Sequence, residues 1–381
     1  MQQTIHHKTT QSDQPNRSRP KPGNPSAKAP VIAISIGDVN GVGPEVTIKA
    51  LNDKRILNQM TPIIFGSAKV VSYYRKQCEM EQFNFMTIKD LNNIAYGKVN
   101  VFNCWQDVVE LQPGKVTNAA GQAAWHALDR ATQALKEHEV SAIVTAPINK
   151  NNIQNEDFNF PGHTEFLAKT FEAEEHLMLL VHEKLRVGVV TGHIPLHQIS
   201  QKITRSSVRQ KVLLMEKSLQ QDFGVIKPRI AMLGLNPHAG EDGLLGSEEQ
   251  DILLPVIREL KDKGKLIYGP FPSDGFFGAF MHQQFDGVLA MYHDQGLIPF
   301  KTLAFEKGVN FTAGLSAVRT SPDHGTAYDI AGKNQANAES MREALYLACD
   351  VVRQRAQSVS QKVATEGRQL ENNDEVVKSE S

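Results

Sequence analysis

The chain has 381 residues, which is enough for about two domains with a large buried core. Its formal net charge of -1 gives no electrostatic footprint for nucleic acid, and no apolar run approaches the roughly 18 residues of a membrane span. The cysteines Cys78, Cys104 and Cys349 are far apart and form no CxxC pair. We therefore expect reduced thiols in a cytoplasmic protein.

Both ends of the chain have the composition of disordered segments. Residues 1–30 are rich in Gln, Lys, Pro, Ser and Asn and contain no apolar stretch of the kind found in secretory signals. Residues 361–381 are polar and acidic. These compositions predict a disordered leader at 1–30 and a disordered tail at 361–381.

Between these ends, buried-strand patterns alternate with helical ones. Short apolar runs predict strands over residues 31–36, 62–65, 99–102 and 140–145. Helices are predicted over residues 118–137, 206–222 and about 339–355. This alternation predicts an α/β fold with a parallel sheet and crossover connections.

Three further predicted strands each lead into a histidine. The strands cover residues 185–191, 229–235 and 287–291, and the histidines are His193, His238 and His293. The carboxyl ends of parallel strands face one crevice, so we expect the three imidazoles to meet there. They suit zinc or a similar divalent metal, with positions left open for a substrate. The alternative is three independent structural histidines, each hydrogen-bonded to backbone groups.

Several residues in the second half of the chain suit an anionic ligand. His163 and Thr164 precede an apolar helix and offer donors at its N-terminus, although Thr164 could merely cap that helix. Lys301 and Arg319 frame Asn310 in apolar, glycine-rich surroundings, where a buried charge needs a partner. Scattered cations usually lie on solvated surfaces, but an anionic substrate would be the partner here.

Two aspartates are candidates for the edge of the site. Asp294 directly follows His293, and Asp274 lies in the proline- and glycine-rich loop 269–277. That loop could bring Asp274 to the site, or it could use Asp274 only as a turn residue.

The loop after the first strand, GDVNGVGPEVTIKAL, could be mistaken for a phosphate cradle. It lacks the GxGxxG spacing, and Glu45 in the first turn of the next helix would repel a phosphate. A tight strand-to-helix turn explains the loop at least equally well.

Longer motifs resemble known families. GDVNGVGPEVTIKAL is similar to the GDGIGPEV turn of the decarboxylating isocitrate and isopropylmalate dehydrogenases, and HGTAYDIAGKNQAN is similar to their adenosine-binding HGSAPDIAGK loop. FPGHTEFLA, LNPHAGEDG and YHDQGLIPFK, with the segment around Asn310 and Arg319, resemble the 4-hydroxythreonine-4-phosphate dehydrogenase family. The resemblance covers roughly residues 31–355. One departure is the opening turn, where family members commonly read GDPAGIGPE.

The resemblance implies an isocitrate/isopropylmalate dehydrogenase-like fold, in which two α/β/α domains flank an active-site cleft. Residues 31–145 with about 300–358 would form a discontinuous cofactor-side domain. Residues 146–299 would form a domain that carries the metal and the dimer contact. The resemblance also implies a homodimer with a shared active site, so that one metal histidine would come from the partner.

Site residues follow from the same resemblance. A divalent metal (zinc, magnesium or cobalt) is implied at His193, His238 and His293. The implied substrate contacts are His163, Thr164, Lys301, Asn310 and Arg319. The implied cofactor contacts lie in the late loop, residues 321–337, and are His324, Gly325, Asp329, Ala331, Gly332, Asn334 and Asn337. We expect NAD rather than NADP, because this loop has Asp329 and no arginine to meet a 2'-phosphate.

The implied reaction is the NAD-dependent oxidation of 4-(phosphooxy)-L-threonine, followed by loss of carbon dioxide, in pyridoxine 5'-phosphate (vitamin B6) biosynthesis. An alternative is a paralogue that acts on a phosphorylated four-carbon acid without the amine, such as a 4-phosphothreonate or 4-phosphoerythronate. A three-histidine zinc hydrolase is a further alternative, but it would not explain the adenosine-like loop.

Overall fold

The computed structural model of the chain describes residues 29–379, with side chains as far as residue 360. The strands are β1 (Val31–Ser35), β2 (Thr61–Gly66), β3 (Met86–Ile88), β4 (Asn100–Asn103), β5 (Ala142–Thr145), β6 (Leu177–His182), β7 (Leu185–Thr191), β8 (Arg229–Leu233), β9 (Leu266–Phe271), β10 (Gly287–Tyr292), β11 (Val309–Ala313) and β12 (Arg319–Pro322). The α-helices are α1 (Gly43–Leu51), α2 (Ala68–Gln77), α3 (Asn118–Lys136), α4 (His163–Thr170), α5 (Ile199–Lys202), α6 (Arg205–Gln221), α7 (Leu254–Asp262), α8 (Ser273–Gly278), α9 (His293–Ala304) and α10 (Glu339–Ser379).

The strands form one 12-stranded sheet with the order β3-β4-β2-β1-β5-β12-β11-β6-β7-β10-β8-β9. On one side, β1 pairs in parallel with both β2 and β5, and on the other, β10 pairs in parallel with both β7 and β8. The predicted parallel pairing is therefore present on both sides. The centre differs, because β11 is antiparallel to β6 and β12, and β6 is antiparallel to β7.

Apolar side chains bury the parallel strands on both faces. All residues of β2 are buried, as are Gly287 to Met291 of β10. Helix α3 packs its small residues on the first half of the sheet, and its N-cap Thr117 accepts a hydrogen bond from the Ala120 amide. Side chains from the two faces of such strands fill the core, which explains why their sequences read as continuous apolar runs.

Two sequence predictions are corrected by these elements. Residues 269–277 are not a loop: β9 extends to Phe271, and α8 begins at Ser273. Proline is tolerated there because β9 is the edge strand of the sheet. The tail predicted to be disordered from residue 361 continues helix α10 as far as Ser379, because the segment contains many good helix formers and no proline. Within the predicted leader, residues 1–28 lie outside the described part of the chain.

Two smaller observations concern the described residues alone. None of their helices is long and apolar enough to cross a membrane. The three cysteines are free, as the sequence predicted, and Cys78 and Cys349 are buried.

Candidate functional site

A cleft of about 690 Å³ opens beyond the carboxyl ends of β5, β7 and the neighbouring β10. Ligands of parallel α/β sheets bind at such strand ends, and the volume is typical of a small-molecule site. The cleft is lined by most of the predicted metal and substrate residues and by two of the predicted cofactor residues: His163, Thr164, His193, His293, Lys301, Asn310, Arg319, His324 and Gly325.

Arg319 is the most deeply buried charge of the cleft. Its side chain comes from β12, and the residue is only 3% exposed. The guanidinium donates to the Thr145 and Thr312 hydroxyls over 2.8 to 3.2 Å, and it forms no ion pair within the described part of the chain. Burial lowers the pKa of Arg319 to about 10, so it remains a cation at neutral pH. A buried cation that faces a cleft without a carboxylate partner is a site for an anionic ligand.

His163 and Thr164 begin helix α4, whose N-cap is Gly162 and which has no side-chain cap. The alternative that Thr164 merely caps this helix is therefore wrong. The Nε2 atom of His163 is buried without a hydrogen-bond partner. Burial, with the nearby charges of Arg319 and Lys150, holds the pKa of His163 well below its usual value. A neutral imidazole and a helix N-terminus thus face the same cleft as Arg319.

Lys301 and Asn310 complete the predicted substrate set. Lys301 Nζ lies 3.4 Å from the Asp323 carboxylate, and burial raises the pKa of Asp323. Arg319 Nη1 lies 3.5 Å from the Asn310 side-chain oxygen, a long contact that leaves Asn310 able to turn toward a ligand. The cleft therefore presents donors from β11, β12, α4 and α9 to one space.

His193 and His293 lie side by side because β7 and β10 are adjacent parallel strands. Their ring centroids are 5.2 Å apart. Burial, with the charge of Lys150, lowers the pKa of His193, and a neutral imidazole is the form that binds a metal. His293 Nδ1 lies 2.6 Å from Asp294 Oδ1. This carboxylate orients the ring and leaves Nε2 for a ligand, so the pair fits a divalent metal.

His238 lies at the same edge of the sheet but not in the cleft. It follows β8, which pairs in parallel with β10, so the predicted strand pattern is present. The chain then turns through positive φ angles from His238 to Asp242, and His238 is exposed. Among the described residues, no group of three His, Cys, Asp or Glu side chains is placed to hold a metal. The expected meeting of the three imidazoles in one crevice is therefore not found within one chain.

The late loop, predicted to contact the cofactor, runs from the cleft to the turn after β1. His324 and Gly325 line the cleft, and Thr326 O accepts a hydrogen bond from the Val42 amide. Asp329 is exposed. The remaining predicted residues hold the loop in place: Ala331 is buried, Gly332 O accepts from Gln77, Gly332 and Asn334 have positive φ, and Asn337 accepts from the Glu339 amide at the start of α10.

The two predicted edge residues have different positions. The Asp294 carboxylate contacts the His293 ring, as described above. Asp274 lies in the first turn of α8 and is not among the residues that line the cleft. Its acidic side chain suits a helix N-terminus, so a local structural role accounts for it.

The cleft also contains ionisable residues that sequence reasoning did not assign. They are Lys150, Glu165, His176, Lys211 and Asp323. Lys211 Nζ is engaged 2.7 Å from Glu175. Lys150 could have been found by the strand-end rule used for the histidines, because it follows the predicted strand 140–145. Glu165 could have been found from its place beside His163 and Thr164.

Known proteins match this chain over most of its length. The family model described as "Pyridoxal phosphate biosynthetic protein PdxA" matches residues 58–348. A 4-hydroxythreonine-4-phosphate dehydrogenase of Bacteroides thetaiotaomicron is 48% identical over 87% of this chain and 91% of its own length. A protein of Oceanobacillus iheyensis with the provisional name D-threonate 4-phosphate dehydrogenase is 39% identical over 85% of this chain and 98% of its own.

A solved structure shows the same fold. The crystal structure of the 4-hydroxythreonine-4-phosphate dehydrogenase from Klebsiella pneumoniae superimposes with a TM-score of 0.75. That protein is 35% identical, and the match covers 86% of this chain and 99% of the crystallised one. The predicted α/β fold class is thereby confirmed. With the family match over most of the chain, it follows that this chain belongs to the PdxA family of dehydrogenases.

Proposed function

We propose that this protein oxidises 4-(phosphooxy)-L-threonine with NAD to 2-amino-3-oxo-4-(phosphooxy)butanoate, which decarboxylates to 3-amino-2-oxopropyl phosphate in vitamin B6 biosynthesis. The names of the relatives support the substrate. The observation that carries the proposal is the buried guanidinium of Arg319, which forms no ion pair among the described residues and lies in the same cleft as the His193–His293 pair. The cation suits the anionic substrate, and the imidazole pair suits the metal-assisted chemistry.

Residues of the cleft have distinct tasks in this reaction. Arg319, with Asn310 and Lys301, holds an anionic end of the substrate, and the N-terminus of α4 with Thr164 adds donors to it. His163 is neutral, so it accepts or donates a hydrogen bond without adding charge to an already cationic site. Together these groups fix the hydroxyl-bearing carbon beside His193 and His293.

His193 and His293 would hold a divalent metal (zinc, magnesium or cobalt), with His238 of a second chain as the third ligand. When bound, such a metal lowers the pKa of the substrate hydroxyl and stabilises negative charge on the oxygen. Asp294 keeps the His293 ring oriented for this role.

Bound NAD would supply the hydride acceptor in this proposal. C3 would lose a hydride and its hydroxyl would lose a proton, which would leave a ketone at C3. The bond between C2 and the carboxylate then breaks, carbon dioxide leaves, and C2 takes up a proton. The position of the late loop supports its role in cofactor binding, because the loop leaves the cleft at His324 and Gly325 and continues to the carboxyl end of β1.

A homodimer would supply the missing histidine. Large apolar side chains are exposed on the segments that follow β8, β9 and β10: Leu244 (77% exposed), Phe280 (55%), Ile298 (64%) and Phe305 (73%). These segments lie at the same sheet edge as His238, so a second copy that covers them would bring its own His238 near the cleft. The substrate, the coenzyme and this assembly are consistent with an enzyme of the cytoplasm.

The direct test is NADH formation with 4-(phosphooxy)-L-threonine and with its deaminated analogue, each in the presence of zinc, magnesium or cobalt. We expect turnover with the amino substrate and with NAD in preference to NADP. No NADH with either substrate under any metal would overturn the proposal. Phosphate release without NADH would instead indicate the hydrolase alternative.

The deaminated analogue represents the second candidate function. The relative from Oceanobacillus iheyensis favours it, because a D-threonate 4-phosphate carries a hydroxyl where the threonine carries its amine. Both compounds have the carboxylate and the phosphate that the cations of the cleft suit. A higher kcat/KM for the hydroxy acid would replace the amino acid as the substrate and leave the rest of the proposal intact.

The shared site is tested by subunit mixing. His238→Ala and His293→Ala chains are each expected to be inactive, and a mixture of the two is expected to regain part of the activity through dimers with one intact site. A lack of recovery after denaturation and joint refolding would contradict the division of these ligands between chains.

A further inference from the structure

Gln295 is a buried residue in the first turn of α9 that has no role in the reaction proposed above. It lies two positions after His293, and only 8% of the residue is exposed. Both ends of its side-chain amide are engaged: Oε1 accepts from the Met291 amide (2.7 Å), and Nε2 donates to Gly234 O (2.5 Å). The first partner lies in β10, and the second directly follows β8. Gln295 therefore connects the chain before His293 with the chain before His238.

The Gln295 amide acts as a spacer between the ends of β10 and β8. Main-chain pairing of these two strands begins at Gly287 and ends at Leu289, opposite Met232. Two residues further along β10, the Gln295 amide bridges the two backbones. An amide group that fills the gap between two main chains holds them further apart than a direct ladder hydrogen bond does. The sheet therefore opens at this point.

On either side of the opening, each strand stays attached to its other neighbour. β10 remains paired with β7 to its last residue. The chain after β8 stays with β9, because the Gly234 amide donates to Phe271 O (2.8 Å). The opening therefore separates the pair β7 and β10, which leads to His193 and His293, from the pair β8 and β9, which leads to His238.

Both main-chain groups of Met291 are held by side chains. The Thr191 hydroxyl donates to Met291 O (2.8 Å), and Gln295 Oε1 accepts from the Met291 amide. The N-cap residue of α9 forms no side-chain cap hydrogen bond, so the passage from β10 into this helix depends on Gln295 instead. His293 is the first residue of the helix. Its place beside His193 therefore depends on the same side chain.

We infer that Gln295 is a positioning residue: its amide holds His293 beside His193 and keeps the chain that leads to His238 out of this cleft. The inference rests on the metal role proposed above. Two imidazoles that are fixed in advance lose little freedom when they bind a metal, so their positioning contributes to metal affinity. The separation of His238 leaves an open position at the pair, which a second chain can fill.

A zinc titration without substrate tests this role. Full-length wild type and Gln295→Met are stripped of metal with a chelator, and zinc binding is measured by calorimetry. Methionine fills the space of glutamine but leaves the Met291 amide and Gly234 O without their partner. Side chains that orient metal ligands contribute about 10- to 100-fold to metal affinity, so we expect zinc affinity to fall by about this factor in Gln295→Met. His193→Ala defines the binding that depends on the histidine pair.

Asn100→Leu is the matched control for the loss of a buried amide. Asn100 lies in β4 and is fully buried, and its side chain accepts from the Ala95 amide (2.9 Å) and donates to Lys98 O (2.9 Å). It is not among the residues that line the cleft. Both variants should lower the melting temperature, because each leaves buried main-chain groups without a partner. Asn100→Leu should change zinc affinity by less than about threefold.

A second variant keeps the test decisive if Gln295→Met does not fold. Gln295→Asn retains the amide, but its side chain is one methylene shorter and does not span the Met291 amide and Gly234 O together. We expect it to weaken zinc binding as well, to a value between those of wild type and Gln295→Met.

The outcomes separate this inference from the proposed function. If wild type binds zinc no more tightly than His193→Ala does, the metal role is wrong and the inference fails with it. If wild-type binding depends on His193 but the Gln295 variants bind zinc as tightly as wild type, the metal role stands and the positioning role is wrong. Equal weakening in Gln295→Met and Asn100→Leu would also overturn the inference, because it would reduce Gln295 to a stabilising residue.

Discussion

Two buried charges of the molecule, Asp38 and Arg319, have opposite surroundings. Asp38, after β1, is fully buried and accepts hydrogen bonds from the Asn40 amide (2.9 Å), the Asn152 side chain (2.8 Å) and the Tyr328 hydroxyl (2.8 Å). Arg319, on β12, donates hydrogen bonds only to neutral oxygens and faces the open cleft. A closed network of donors around a charge indicates a structural role, whereas an incomplete one indicates a place for a ligand.

The Asp38 network joins four segments that are distant in the sequence. Asn152 also donates to Thr117 O (3.0 Å), and Gly121 of α3 permits this approach because an added Cβ would lie 1.9 Å from Asn152 O. Tyr328 belongs to the late loop. The network therefore fixes the turn after β1, the start of α3, the segment after β5 and the late loop against one another.

The largest effect is expected from Arg319→Met, which tests the ligand-binding role of Arg319. Methionine keeps the apolar stem of the side chain and removes the charge. Loss of a buried charge contact to an anionic ligand costs about 2 to 5 kcal/mol, so kcat/KM should fall on the order of 10²- to 10³-fold. The melting temperature should stay the same or rise, because the uncompensated charge is removed. Arg186→Met, at a partly buried arginine that stacks on Phe223 outside the cleft, is the control and should leave kcat/KM near wild type.

Asp38→Ala tests the structural side of the comparison. Three donors would lose their acceptor in a buried place, and the free energy of unfolding should fall by about 3 kcal/mol in urea denaturation. Asp90→Ala is the matched control, because Asp90 also accepts from a main-chain amide and a side chain, both of Asn92, but at the surface. Its loss should cost less than about 1 kcal/mol. Equal losses for both variants would contradict the structural role assigned to the Asp38 network.

A smaller effect is expected from pH. His163 stays neutral in the fold because its pKa lies well below the usual value of 6.5, so protons bind preferentially to the unfolded chain. Its contribution to the unfolding free energy is constant above pH 6.5 and declines as the pH falls below 6.5. In His163→Gln, stability measured between about pH 7 and pH 5 should decline less steeply than in wild type. Parallel curves for the two proteins would show that this histidine is not held neutral.

The smallest effect is expected at Asp274. The residue begins a short helix outside the cleft, so Asp274→Ala should leave KM and kcat unchanged and alter the unfolding free energy by about 0.5 kcal/mol or less. A rise in KM would place this residue in the active site after all, for example across a dimer contact.

Much of the cleft could be predicted from local patterns. The strand before His293 is an apolar run and the strand before His193 is largely apolar, and such strands end at the ligand-binding edge of a parallel sheet. Arg319 and Lys301 were recognisable because charges in apolar surroundings need partners. These predictions used only the type and spacing of residues, and the side chains that they named line one cleft.

The features that the sequence did not reveal depend on backbone geometry and on strand pairing between segments that are far apart in the sequence. The positive φ angles from His238 to Asp242 take His238 away from the cleft, although only one of the five residues is glycine. Strand β11 pairs with β6, which begins more than 130 residues earlier, and neither strand was predicted. Which strand pairs with an edge strand such as β9, or with a buried strand such as β12, depends on the tertiary structure. A short stretch of sequence does not contain this information.

Helix α9 begins at His293 and carries Lys301 eight positions later, about 80° around the helix axis, and both residues line the cleft. The rise between them is about 12 Å, and the lysine side chain points back toward the start of the helix. One rigid element therefore sets the span between the redox end of the cleft and a cation for the far end of the substrate. The distance between these two groups would then select substrates by length as well as by charge. Phosphorylated acids one carbon shorter or longer would fit the cleft poorly.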